Sequence, residues 1–137
     1  MTPESNEAVV RRYVEDVWNR GDLVVADALL TFGHVRHDPL LDVDVVGVDE
    51  VRQQISGLRA AFPDFHFEVA IYAGNGGFVT RRWRMTGTHE GQWLGIAPTG
   101  VKVTSTGMAL SRFEDGKIAE EWIQRDDLGL MRQLGAV

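Results

Sequence analysis

The residues best suited to acid–base chemistry lie near the carboxyl terminus, where an alternating segment, Ile118 to Asp126, reads IAEEWIQRD. Alternate residues of a strand share one face, so Trp122, Gln124 and Asp126 lie together, and Asp126 enters an apolar cavity if Trp122 lines it. Burial there raises the pKa of a carboxyl group towards the value that suits a general acid or base. The alternative is that Asp126 caps the following helix and Asp127 is solvated, because Asp is a preferred residue there.

A second candidate, His37, lies in the segment HVRHDP. It is placed either to hydrogen-bond a substrate carbonyl or to orient Asp126; a structural histidine bonded to backbone near Pro39 is the alternative. His34, His37 and Asp38 are residue types that bind metals, but in an extended segment His34 and His37 face opposite sides. The segment therefore predicts no metal site.

Arg81 stands out in a predicted strand from Phe78 to Thr88, because Val79 and Trp83 share its parity and indicate a buried face. A charge on that face needs a partner, either Asp126 or an anionic group of a ligand. If the parity is wrong, Arg81 is instead a solvated surface residue.

Large side chains are expected to wall a cavity for a flat ligand, with core packing as the alternative. Those assigned to substrate binding, besides Arg81 and Gln124, are Trp18, Trp83, Trp122 and Met108.

The elements that position these residues follow from the spacing of apolar side chains. A three-and-four spacing predicts helices over Ser5–Asn19, over Leu23–Leu30 with Asp22 as its cap, and over Asp49–Ala61. His34 to Pro39 is a short extended stretch. Period-two alternation follows, and predicts strands at residues 65–71, 78–88, 101–113 and 118–126, a hairpin turn at residues 74–77, and a last helical turn from Leu128. Helices first and an antiparallel meander afterwards indicate the α+β class.

Composition limits the function. The chain has 137 residues, which predicts a single domain over residues 1–137, and a net charge of -6 without a basic cluster, which argues against nucleic-acid partners. It has no cysteine, no N-terminal apolar run, no phosphate-binding loop and no convincing ligand set for a metal. We expect a soluble cytoplasmic protein that uses no cofactor and does not bind a membrane.

Several segments together resemble the SnoaL-like polyketide cyclases of the nuclear transport factor two-like superfamily: VVRRYVEDVWNRGD, HVRHDP, GTHEGQWLGIAPTG, DGKIAEEW and DDLGLMRQLG. The resemblance implies a cone-shaped barrel of curved antiparallel sheet, closed by N-terminal helices around a cavity for a small hydrophobic or polycyclic substrate. It further implies cofactor-independent intramolecular aldol condensation of an aromatic polyketide intermediate, as in antibiotic biosynthesis, with Asp126 as acid and base. A homodimer packed through the sheet is expected, with Val103 and Leu110 in its apolar patch.

Two positions depart from this pattern: Arg81 stands where family members usually carry an aliphatic residue, and Glu121 where related chains often have His. The superfamily also contains hydrolases, isomerases and hydroxylases of small apolar ligands, and fold alone does not select the reaction. A non-catalytic module that binds a hydrophobic ligand or dimerises is the remaining alternative.

Overall fold

The computed structural model describes residues 5–72, 74 and 76–137. Helices open the chain and four consecutive strands follow later, as predicted, but two strands lie before the third helix; the α+β class is confirmed. The predicted hairpin turn at residues 74–77 includes Asn75, which lies outside the described residues.

The first helix changes its winding halfway. Helix α1 (Asn6–Arg12) begins at Ser5, whose hydroxyl accepts a hydrogen bond from the Ala8 amide at 3.1 Å. It continues as a π-helix over Tyr13–Asn19, which presents residues 13, 14, 17 and 18 to the core. Wider π-helical turns are often found at functional sites, and this one carries Trp18.

The predicted second helix is shorter than expected. A 3₁₀ turn (Leu23–Val25) leads into α2 (Ala26–Leu29), and the Asp22 side chain makes no capping hydrogen bond. Leu30 belongs to the following strand, so the extended stretch that begins at His34 is part of a longer element. The third helix, α3 (Val48–Ala61), packs its apolar stripe against the sheet.

The six described strands form one curved sheet, whose bounds are β1 (Leu30–His37), β2 (Val45–Val46), β3 (His66–Tyr72), β4 (Phe78–Thr88), β5 (Lys102–Glu114) and β6 (Lys117–Arg125). Their order is β2-β1-β6-β5-β4-β3, and the described strands do not close into a barrel. All neighbours are antiparallel except β1 and β6, which pair in parallel and make the sheet mixed. A short helix, α4 (Asp127–Gln133), follows β6.

The inner face of the sheet packs on the helices and the outer face is open to solvent. Val103 is 1% exposed and lies in the core, so its predicted place in an outer apolar patch is wrong. Leu110 does lie on the outer face, opposite Trp122 on β6 and two residues from Met108.

Strand β3 forms one edge of the sheet and is held to the first helix by a side chain. The Asn19 amide donates to the Phe67 carbonyl at 3.0 Å, and its oxygen accepts from the Phe67 amide at 2.8 Å. This pair of bonds fixes the end of the π-helix, and with it Trp18, against the strand. Among the described residues, no helix is both long and apolar enough to cross a membrane.

Candidate functional site

A cavity of about 320 Å³ lies between the helices and the inner face of the sheet. Its aromatic wall includes Trp18 from the π-helix, Phe67 from β3 and Trp83 from β4, and the Phe67 ring lies 5.6 Å from each of the other two. Trp93 from the loop after β4 also lines it. The size and apolar lining suit a small, flat organic ligand.

One carboxylate is among the residues that line this cavity, and it belongs to Asp38 at the end of β1. Its side chain is 1% exposed and accepts hydrogen bonds from the Leu40 amide at 3.0 Å, from Gln54 at 2.8 Å and from Nη1 of Arg125 at 3.1 Å. Nη2 of Arg125 bonds the other carboxylate oxygen and completes a bidentate ion pair. Burial raises the pKa of Asp38, but the hydrogen bond and charge of Arg125 outweigh it, so the pKa is lowered overall.

Arg125 lies between two carboxylates. Its Nε donates to Asp127 at 2.6 Å while its other nitrogens bind Asp38. Burial raises the pKa of Asp127, and the charges of Asp38 and Asp126 add to this against the opposing effect of Arg125. Arg125 therefore holds Asp38 ionised at the wall of the cavity.

A buried charged network lies behind the aromatic wall. Nη1 of Arg81 donates to Glu121 at 2.7 Å and to Ser111 at 3.0 Å, and the Ser111 hydroxyl donates to the same Glu121 oxygen at 3.0 Å. The other Glu121 oxygen lies 3.4 Å from Nε2 of His34 and 3.5 Å from Nη1 of Arg36. Burial raises the pKa of Glu121, but the charge of Arg81, with His34 and Arg36, holds it well below its usual range.

Three of the predicted site residues face inward. Trp18 and Trp83 line the cavity, and Arg81 lies beside it on the buried face of β4, with Val79 and Trp83 on either side. The partner of Arg81 is Glu121 and not Asp126.

The residues expected on the cavity face of β5 and β6 lie on the opposite face. Trp122 and Met108 are 38% and 48% exposed, and Gln124 is exposed beside them. The alternation was predicted correctly but assigned to the wrong face, because the prediction placed Trp122 in the cavity. The inward positions of β6 are Glu121, Ile123 and Arg125.

Asp126 does not enter the cavity. It is exposed at the end of β6, and its Oδ1 accepts a hydrogen bond from the Gly129 amide at 2.8 Å. This is the cap of α4, so the structure has the alternative arrangement for Asp126.

His37 lies on the outer face of β1. Its ring bonds Asp44 at 2.9 Å and Glu120 at 2.6 Å and stacks on Trp122 with centroids 5.5 Å apart. The hydrogen bond to Glu120 raises the pKa of His37; burial opposes this effect, and Asp44 adds to it. His37 therefore contacts neither Asp126 nor the cavity, and a structural role fits its contacts. Within residues 5–72, 74 and 76–137, no group of three or more His, Asp or Glu side chains is arranged to hold a metal ion.

The sequence reasoning missed Arg36 and Arg125 as cavity residues and considered Asp38 only as a metal ligand. Strand parity was the available signal. His34 and Arg36 alternate along β1, Asp38 follows two residues after Arg36, and all three are buried. A strand that buries His34 must also turn Arg36 and Asp38 inward.

The chain is similar in sequence and in fold to known proteins. The family model for SnoaL-like polyketide cyclases matches residues 8–134. Aklanonic acid methyl ester cyclase DauD of Streptomyces sp. (strain C5) is 30% identical over 141 residues, which cover 98% of this chain and 83% of DauD. Aklanonic acid methyl ester cyclase DnrD of Streptomyces peucetius is 32% identical over 133 residues, covering 93% and 88%.

Among solved structures, AclR from Streptomyces galilaeus, a proposed hydroxylase, is 30% identical with a TM-score of 0.82. The match covers 96% of this chain and 85% of AclR.

Proposed function

Because the chain belongs to the SnoaL-like polyketide cyclase family, we propose that it closes a ring of an aromatic polyketide intermediate by intramolecular aldol condensation. The observation that carries the proposal is the cavity, which is lined by an aromatic wall and, among the described residues, by one carboxylate, Asp38. The two cyclases of Streptomyces, each about a third identical over most of the chain, support this reaction class.

In this mechanism Asp38 is the proton-transfer group. Its carboxylate removes a proton from the carbon between two carbonyl groups, and the resulting enolate attacks the carbonyl carbon that closes the ring. The new alkoxide then takes the proton back from the Asp38 carboxyl and becomes a hydroxyl, so no proton is gained or lost. Arg125 lowers the pKa of Asp38 and so weakens it as a base, and stabilisation of the enolate in the cavity has to offset this loss.

The aromatic wall supplies binding and orientation. Trp18, Trp83 and Trp93 present apolar surface to a flat substrate, and burial of that substrate removes water from the reacting atoms. Holding the enolate and the carbonyl within one cavity makes ring closure faster than competing reactions in solution.

The test compares two matched variants, Asp38→Asn and Asp126→Asn, on an enolisable polyketide methyl ester. Asp38→Asn should lower turnover by a factor on the order of 10² or more, because an amide cannot take the proton. Asp126→Asn should keep turnover, because Asn also caps helices well. Melting curves report folding of both proteins. If only Asp126→Asn loses turnover, Asp126 is the acid and base and Asp38 is structural.

A second candidate is hydroxylation of the same class of substrate, which the similarity to AclR favours. Turnover that requires dioxygen and adds one oxygen atom to the product would select hydroxylation. A product of the same mass as an aldol, or of its dehydration, would select cyclisation.

The proposed setting is a cytoplasmic homodimer packed through the outer face of the sheet, where Met108, Leu110 and Trp122 are exposed. An exposed apolar patch of this kind favours association. Sedimentation of the native protein and of Leu110→Lys tests it: the native protein should be a dimer and the variant a monomer, and a monomeric native protein contradicts the proposal.

A further inference from the structure

The Arg36 guanidinium lines the cavity, next to a smaller void that Arg81 also lines, without adequate hydrogen-bond partners. The residue is 4% exposed, yet its Nε and Nη1 find no hydrogen-bond acceptor within the described part of the chain. The nearest carboxylate oxygen, Oε1 of Glu121, is 3.5 Å from Nη1, and the other Glu121 oxygen binds Arg81 and Ser111. A buried donor without an acceptor costs about 1–3 kcal/mol, and more when the group is charged.

A second buried donor lies beside it. Nε1 of Trp18 also makes no well-formed hydrogen bond among the described residues, although it interacts with the Tyr13 hydroxyl, and Trp18 is 3% exposed. The guanidinium carbon of Arg36 lies 5.0 Å from the centroid of the Trp18 ring. Both residues line the cavity, and both also line a smaller void of about 10 Å³ next to Arg81.

The charges around Arg36 are also unbalanced. Two guanidinium groups, Arg36 and Arg81, face the single carboxylate of Glu121. Tyr13 does not compensate, because burial raises its pKa far above neutral pH and keeps the phenol uncharged. Asp38 is engaged mainly by Arg125, in a bidentate pair, and its interaction with Arg36 is weaker. The buried groups around Arg36 therefore leave part of its positive charge uncompensated, beside donors without acceptors.

We propose that Arg36 and Trp18 bind an anionic oxygen of the ligand, an enolate or carboxylate oxygen, while the apolar body of the ligand lies against the aromatic wall. This assignment rests on the proposed function and specifies its substrate class: a planar molecule with an acidic oxygen function at one end. During ring closure Arg36 and Trp18 stabilise the enolate oxygen that forms when Asp38 removes the proton.

The experiment measures binding without turnover, by isothermal titration calorimetry with two pairs of planar probes. Naphthoate is compared with methyl naphthoate, and the acetylindanedione enolate with its enol methyl ether, so that each anion has a neutral counterpart of similar shape. The native protein should bind at least one anion about tenfold to a hundredfold more tightly than its counterpart. Comparison of the naphthoate pair with the enolate pair shows whether the site prefers a carboxylate or an enolate oxygen.

Arg36→Gln should remove most of this preference while leaving the affinity for the neutral probes nearly unchanged. The matched control is Arg84→Gln, which removes the same charge from the exposed outer face of β4 and should keep the preference. Trp18→Phe keeps an aromatic ring but loses the N–H donor, and should weaken binding of the anions by a smaller factor.

Equal affinity of the native protein for every anion and its counterpart would overturn the inference, as would an Arg36→Gln protein that keeps the preference. If Arg36→Gln does not fold, the native comparison together with Trp18→Phe decides. Failure of the proposed reaction is seen separately: a protein that binds anions through Arg36 but does not cyclise any polyketide refutes only the cyclase assignment.

Discussion

Removing either partner of the buried pair between Arg81 and Glu121 should destabilise the fold strongly, and by different amounts for the two partners. Removing one partner of a buried ion pair costs about 3–5 kcal/mol, because the other charge is left without compensation. Arg81→Leu leaves Glu121 with His34 at 3.4 Å and Arg36 at 3.5 Å, so its cost should be near the lower value. Glu121→Leu leaves two guanidinium groups unpaired, and its cost should be near the upper value.

The expected shifts are large enough for ordinary melting curves. At about 2.1 cal/mol/K per residue for the entropy of unfolding, a chain of 137 residues loses about 3.5 °C of Tm per kcal/mol. Arg81→Leu should therefore lower Tm by about 10 °C, and Glu121→Leu by about 17 °C. The double variant should melt above Glu121→Leu, since the leucines remove both charges of the pair. Circular dichroism and urea unfolding provide the measurements.

Arg84→Leu on the outer face of the same strand is the control and should change Tm by less than about 2 °C. If Arg81→Leu melts within about 3 °C of the native protein, or if the two single effects add in the double variant, Arg81 and Glu121 are not coupled as described.

The pH dependence of stability provides an independent test of the same pair. The pKa of Glu121 is lowered in the folded state, so its contribution is fully present above the unfolded pKa of about 4.3 and is lost as pH falls towards the folded value. Between pH about 4.5 and 2, the native Tm should therefore fall more steeply than that of Glu121→Gln. Parallel curves would contradict the lowered pKa.

Three further predictions concern other parts of the molecule. Glu120→Gln should lower the pKa of His37 in an NMR titration, because the hydrogen bond between Glu120 and His37 is the main cause of the raised pKa. In the native protein, the stability that protonated His37 contributes is fully present below pH about 6.5. It is lost as pH rises through the folded pKa of His37. Asp126→Ala should lower Tm by about 3 °C through loss of the α4 cap, and an unchanged Tm would contradict that role. Gly107→Ala places a Cβ in the ring of Trp83, so it should lower Tm and weaken binding of neutral aromatic probes; unchanged binding would mean that Trp83 does not shape the cavity.

The elements could be predicted from the sequence because apolar spacing reports burial directly. The inner and outer faces of β6 could not, because Trp122 and Ile123 are both apolar and alternation alone does not say which of two such residues faces the core. The larger residue was assigned inward, and Gln124 and Asp126 followed it to the wrong face. On the outer face Trp122 stacks on His37, a contact between residues far apart in the chain that the sequence does not reveal.

The two departures from the family pattern proved to be related. Arg81 and Glu121 were each recognised as unusual, but they lie 40 positions apart, and only the pairing of β4, β5 and β6 brings them to 2.7 Å. A charged residue on the buried face of a strand is expected to have a partner, but the sequence alone does not identify that partner. The register of β4, β5 and β6 places Glu121 beside Arg81.

The amide of Asn19 also occupies backbone groups at an edge of the sheet. Strand β3 is an edge strand, and unpaired backbone groups at an edge are where a strand from another molecule can add. At Phe67 both outward groups are already bound by Asn19, so an incoming strand would have to displace this side chain to continue a ladder. Asn19 therefore hinders the addition of a strand at Phe67, and its replacement by Ala would leave a longer stretch of β3 open to strand addition.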